Sequence, residues 1–148
     1  MIRKKDRLKQ KRQYDLLFVY GTLRRGCHHP VARRMRRYAR YVSLGKVRGC
    51  LYQTADGYPA LRLRCRRLGY VVGEVYKVLD AKRLFRMLDA YELCCLGDRR
   101  KEEYERCRIV VATGKKRVDA WAYVSRRDVR GLVRLGDNYA AYRKRMVR

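Results

Sequence analysis

The tightest constraint on this chain is the stretch Leu16-Leu17-Phe18-Val19-Tyr20-Gly21-Thr22-Leu23-Arg24-Arg25-Gly26, where an apolar run stops at a glycine and becomes a small polar loop. Five apolar or aromatic residues bounded by polar chain are too few for a stable helix and read as a central strand. Gly21 has no Cβ, so backbone N–H groups beside it can approach a ligand closely. The same pattern also serves an ordinary turn, and the rest of the chain has to decide between the two.

A second β run spans Tyr70 to Leu79, rich in aromatic and β-branched residues, with Gly73 marking a bulge or a close packing contact. Between the runs, Pro30 opens a short helix with apolar residues at 31, 35 and 38. Tyr41 to Thr54 reads as one bent strand or two short ones, interrupted by Gly45 and Gly49. Ala55 to Pro59 is a loop, and Leu61, Leu63 and Cys65 alternate with arginines as a half-exposed strand or edge. Asp80 caps a helix through Glu92, with Leu84 or Phe85 and Leu88 facing inward. Tyr104 to Thr113 and Arg117 to Ser125 form a hairpin across Gly114-Lys115-Lys116, and a short helix is expected from Asn138. This ordering suits an α+β domain: a small mixed, mostly antiparallel β-barrel of six to seven strands, flanked by short helices. Residues 1–13 stand apart as a basic arm, and 14–148 form one domain.

The chain carries 40 Lys and Arg against 14 Asp and Glu, a formal net charge of +26. Such an excess attracts polyanions. The basic residues are scattered through every segment and gathered in no stripe, so the expectation is a solvated arginine surface with non-specific nucleic-acid adhesion, not a specific site. Six cysteines form no C-x-x-C pair. With no apolar leader and no run long enough to span a bilayer, the reading is a cytoplasmic protein with reduced thiols and no membrane partner. The adjacent side chains of Cys27-His28-His29 cannot all converge easily on one ion and no Asp, Glu or other Cys sits nearby in sequence, so no metal is expected there, and no cofactor is expected. Oligomeric state is not legible.

Seven segments in order give the chain a resemblance: Phe18 to Gly26, Gly57-Tyr58-Pro59-Ala60, Val72-Gly73-Glu74-Val75-Tyr76, Leu88-Asp89-Ala90-Tyr91-Glu92, Tyr104-Glu105-Arg106, Ala120-Trp121-Ala122-Tyr123-Val124 and Gly136-Asp137-Asn138-Tyr139. Over roughly Asp15 to Tyr142 it resembles the gamma-glutamylcyclotransferase-like proteins, which include gamma-glutamylamine cyclotransferase and the AIG2-like proteins. The resemblance implies that the Tyr-Gly-Thr-Leu loop faces a cavity with a glutamate opposite. It also implies an acyl transfer in which the α-amine of a γ-glutamyl compound attacks its own γ-carbonyl, releasing 5-oxoproline and an amine.

On that resemblance Glu92 is the catalytic general base and acid, and Tyr20, Gly21, Thr22, Leu23, Tyr104 and Tyr123 contact the small-molecule substrate. A helix end in a tyrosine-lined cavity would disfavour the ionised glutamate and raise its pKa. Read without the resemblance, Glu92 is better taken as a solvated helix-end carboxylate paired with an arginine, and Tyr104 and Tyr123 serve equally as ordinary barrel residues. Glu74, the rival carboxylate, is expected to hold a structural ion pair. Arg24 and Arg25 are expected to select what enters, and an arginine-rich mouth would favour an acidic γ-glutamyl compound. The competing function is a non-catalytic protein on the same scaffold, binding a small ligand or nucleic acid through its arginine surface.

Overall fold

A computed structural model describes residues 15–65, 67–94, 102–114, 116–136 and 138. The basic arm and all but the first residue of the helix expected from Asn138 lie outside them. In chain order the elements are β1 (Leu16–Val19), α1 (Pro30–Met35), β2 (Ala39–Gln53), β3 (Pro59–Arg62), β4 (Gly69–Val78), α2 (Ala81–Tyr91), β5 (Tyr104–Thr113), β6 (Lys116–Ser125) and β7 (Val133–Arg134). The strands form one seven-stranded sheet in the order β3-β2-β4-β1-β6-β5, with β7 on β2. The Lys46↔Ala112 pair between β2 and β5 closes five of them into a barrel. All pairings are antiparallel except β1 with β6, so the expected mixed barrel is the fold.

Alternation along β1 explains why this strand organises everything else. Phe18 points into the barrel with Val47, Val71, Val75 and Val111, while Leu17 and Val19 point outward beneath the helices with Met35, Leu84 and Leu88. Both faces of β1 are therefore buried, which is what an unalternating apolar run requires. Gly73 is packed from both β1 residues: a Cβ there would stand 2.4 Å from the Phe18 ring and 2.4 Å from the Val19 carbonyl. Close packing, and not a bulge, is the reason for that glycine.

Of the two readings of Tyr41 to Thr54, the single bent strand is the one seen: β2 runs Ala39–Gln53 with a register shift between Tyr41 and Ser43. Two other expectations change. The expected edge strand through Leu63 and Cys65 is shorter and more buried, with Pro59, Ala60 and Leu61 all inside. Tyrosines pull it in: the Tyr20 hydroxyl accepts from Leu61 N–H (3.4 Å) and donates to the Tyr123 carbonyl (2.6 Å), and the Tyr104 hydroxyl donates to the Pro59 carbonyl (3.0 Å). The chain beyond β3 turns back so that Cys65 meets Cys50 in a disulfide, where reduced thiols were expected. A separation of 15 residues gave no hint of it.

Candidate active site

The strand-to-loop transition after Val19 opens into a cavity of about 290 Å³. Its walls include Tyr20, Gly21, Thr22 and Leu23 from the loop, Glu92 and Leu93 from the end of α2, and Tyr104 and Tyr123 from β5 and β6. All seven residues expected at the site thus line one space. Among the described residues, no backbone hydrogen bond is donated by the N–H of Gly21, Thr22 or Leu23; the loop is closed by Arg24 N–H on the Gly21 carbonyl at 3.1 Å. Gly21 is needed here for a reason the sequence did not show. A Cβ on it would stand 2.5 Å from Pro59 Cγ, so β3 and the loop approach each other as closely as they do only because this residue is glycine.

Glu92 is the C-cap of α2. The helix stops because Leu93 adopts a left-handed conformation (φ 50°), with Leu93 N–H bonded to the Ala90 carbonyl at 3.4 Å and Cys94 N–H to the Asp89 carbonyl at 2.9 Å. This double closure is the Schellman ending, which usually places glycine where Leu93 stands. Asp80 caps the other end, its side chain accepting from Arg83 N–H at 3.1 Å. Burial first, then the nearby Glu103 carboxylate, push the Glu92 carboxyl from an ordinary 4.5 up to about 8. Both influences act in the same direction, and among the described residues no lysine or arginine pairs with Glu92.

The tyrosines differ from expectation in what they offer a ligand. The hydroxyls of Tyr20 and Tyr104 are spent on backbone groups of β3 and β6, and the Tyr123 hydroxyl donates to Asp89 at 2.6 Å. Asp89 is held in turn by Arg106 at 3.1 Å. The three phenols are therefore braces that present ring surface to the cavity, and burial raises the pKa of each. Thr22 and Tyr91 share a hydrogen bond of 3.2 Å across the loop and the helix end.

Two sequence expectations about arginine are overturned. Neither Arg24 nor Arg25 lines the cavity. Arg24 turns back and is buried, donating to Asn138 at 2.7 Å and lying 3.7 Å from Glu74, while Arg25 stacks on Tyr41 with its guanidinium 3.4 Å from the ring centre. The structural role expected for Glu74 is the one seen: its carboxylate accepts from Arg25 N–H at 3.1 Å and from the Tyr76 hydroxyl at 2.8 Å. The described cavity wall holds Asp56, Glu92 and Glu103 and no lysine or arginine, where an arginine-rich mouth was expected.

Glu103 escaped the sequence reading because it sits in a loop that no local pattern places. It is brought to the wall by its N–H on the Leu93 carbonyl (3.1 Å), by its own carbonyl accepting from Arg126 N–H (3.1 Å), and by an ion pair with Arg127. His28 and His29 lie off the cavity wall; His29 caps α1 by accepting from Val31 N–H at 3.2 Å. Among the described residues no group of three His, Cys, Asp or Glu is arranged to hold a metal, and no helix is long and apolar enough to cross a membrane.

Against known proteins, the sequence model of the family described as gamma-glutamyl cyclotransferase, AIG2-like, matches residues 17–143. A comparison with curated protein sequences finds no match. Among solved structures, YkqA from Bacillus subtilis superposes with a TM-score of 0.67 at 20% identity, covering 91% of this chain and 43% of that one; this chain thus spans less than half of that protein. An AIG2-like protein from Mus musculus gives a TM-score of 0.58 at 25% identity, with 77% and 78% of the two chains covered. A structure titled gamma-glutamyl cyclotransferase gives 0.52 at 16% identity, covering 76% and 67%.

Proposed function

The chain belongs to the AIG2-like gamma-glutamyl cyclotransferase family, and from that premise we propose that it cyclises a γ-glutamyl compound to 5-oxoproline and a free amine, with Glu92 as the proton-transfer group. The observation that carries this reading is the pairing of a glutamate raised to about 8 with three loop N–H groups that donate no backbone hydrogen bond among the described residues, all on residues lining one small cavity.

The chemistry asks for both halves. The substrate's α-ammonium must lose a proton before its nitrogen can attack the γ-carbonyl, and the departing nitrogen must gain one to leave as an amine. The second proton shed by the attacking nitrogen as the lactam forms ends on the released amine, which departs as an ammonium. Glu92 takes the first proton as carboxylate and returns it as carboxylic acid, so no net proton is left on the enzyme. A carboxyl near 8 is a far stronger base than one near 4.5. It is ionised in only about one molecule in ten at pH 7, and a bound ammonium beside it restores the carboxylate. Gly21, Thr22 and Leu23 supply N–H donors for the substrate α-carboxylate or for the oxyanion that develops as the ring closes. The tyrosine rings fill the remaining wall and hold the substrate folded on itself, an orientation effect worth up to roughly 7–11 kcal/mol. Because the described cavity wall carries carboxylates, an acidic leaving group is disfavoured.

The test is direct incubation with γ-glutamyl amino acids and γ-glutamyl-lysine, following 5-oxoproline. Release by the wild-type protein and its loss in Glu92→Gln is the expected result. No product from any of them, or full activity in Glu92→Gln, overturns the reading.

A further inference from the structure

Among the described residues the barrel is covered on one side. Helices α1 and α2 pack over β1 and the adjoining halves of β4, β5 and β6, whereas the outer face of β2 and the far half of the β5–β6 hairpin stay bare among the described residues: Val42, Leu44 and Val110 remain 53%, 54% and 58% exposed. Beyond the register shift, alternation places Leu44, Lys46 and Arg48 on this face of β2, every one exposed. Register extends it sideways. Arg48 lies beside Tyr70 of β4, Lys46 beside Ala112 of β5, and Ala112 beside Arg117 of β6, with Arg108 and Val110 in the same alternate positions of β5. Tyr70 is half exposed with the Arg48 guanidinium 5.9 Å from its ring centre. Asp119 is the acid on this patch, against Lys46, Arg48, Arg108 and Arg117. The pleat thus gathers cations that are scattered in the sequence.

We infer that this face of β2, β5 and β6 is a docking surface for single-stranded nucleic acid. An exposed patch of apolar and aromatic side chains set among cations fits bases on Leu44, Tyr70 and Val110 and phosphates on Lys46, Arg48, Arg108 and Arg117. Charge excludes the other occupants. A second copy would bring another +26 onto a basic face, and the stretches outside the described residues, 1–14, 95–101 and 139–148, are themselves cationic in sequence. The surface is separate from the cavity and is independent of the cyclotransferase reading.

Fluorescence anisotropy of the full chain with labelled oligouridylate and oligothymidylate tests it. Two variants remove four charges each: Lys46→Gln with Arg48→Gln, Arg108→Gln and Arg117→Gln on the face, and Arg33→Gln with Arg34→Gln, Arg37→Gln and Arg86→Gln on the helical side. All eight positions are exposed, so both should keep the wild-type melting temperature, which is measured alongside. The face variant is expected to lose at least ~100-fold in affinity at moderate salt with a shallower salt slope, and the helix variant less than ~5-fold. Tyr70→Ala should cost roughly tenfold without altering that slope. Equal losses in the two four-charge variants, tighter binding to duplex or to phosphatidylserine vesicles than to single strands, or no binding by the wild type overturns the inference.

Discussion

Glu74 and Glu92 both serve the Gly21–Gly26 loop, and the fold treats the two carboxylates in opposite ways. Glu74, behind the loop and only 3% exposed, is surrounded by Arg24, Arg25, the Arg25 N–H and the Tyr76 hydroxyl. Glu92, on the cavity side, meets burial and another carboxylate, and its carboxyl rises to about 8. One ties down the loop through the donors around it; the other stands on the cavity wall with its carboxyl raised. The difference lies in partners: Glu74 is ringed by donors and cations, whereas Glu92, the less deeply buried of the two, faces a like charge.

The largest effect should come from Glu92→Gln: cyclisation falls by about 10³-fold, close to ~4 kcal/mol of barrier, in a 5-oxoproline assay. In the wild type kcat/KM should climb through pH 6 to 8 as Glu92 ionises, and that limb should vanish in the variant. Stability should move the other way. A carboxyl raised from 4.5 to about 8 on folding favours the native state fully below pH 4.5, an advantage lost as pH climbs to 8. Thermal melts at pH 9 should therefore show Glu92→Gln more stable than wild type by on the order of 2 kcal/mol, with the gap closing by pH 4.

Glu74→Gln comes next and leaves Arg24 buried with less compensation, so denaturant titration should show a loss of ~3 kcal/mol. If Glu74→Gln kept full stability while Glu92→Gln lost it, the contrast drawn above would be backwards. A smaller loss, ~2 kcal/mol in the same titration, is expected for Gly21→Ala, whose new Cβ meets Pro59, together with a raised KM as the loop shifts. The smallest effect has the opposite sign: Leu93→Gly relieves the left-handed backbone beside Glu92 and should raise stability by ~0.5–1 kcal/mol, with kcat within about threefold of wild type.

What the sequence disclosed was local. The apolar run before Gly21, the Asp80 cap, the hairpin across Gly114 and the helix end at Glu92 each carry their signal within a few residues, and each stands where it was read. What escaped depends on barrel closure. Cys50 meets Cys65, Glu103 joins the cavity wall, and Tyr20 and Tyr104 place their hydroxyls on β3 only once strands distant in sequence are side by side. Arg24 and Arg25 were misread for the same reason. Their partner, Glu74, is 49 residues from the Arg25 amide it accepts from, and nothing near the loop announces it.

The parallel pairing of β1 with β6 carries a consequence for the order of events in time. β1 is flanked by β4 on one side and β6 on the other, and Tyr20 finds its carbonyl partner on Tyr123, 103 residues later. As the chain emerges, the loop that closes the cavity is among the earliest parts to appear, while a wall it needs comes among the last. Until the final hairpin arrives, one edge of Leu16–Val19 stays unpaired, and contacts this far apart slow the search. The cavity is finished late, by the strand that closes the barrel, and an interrupted chain has the loop without the site.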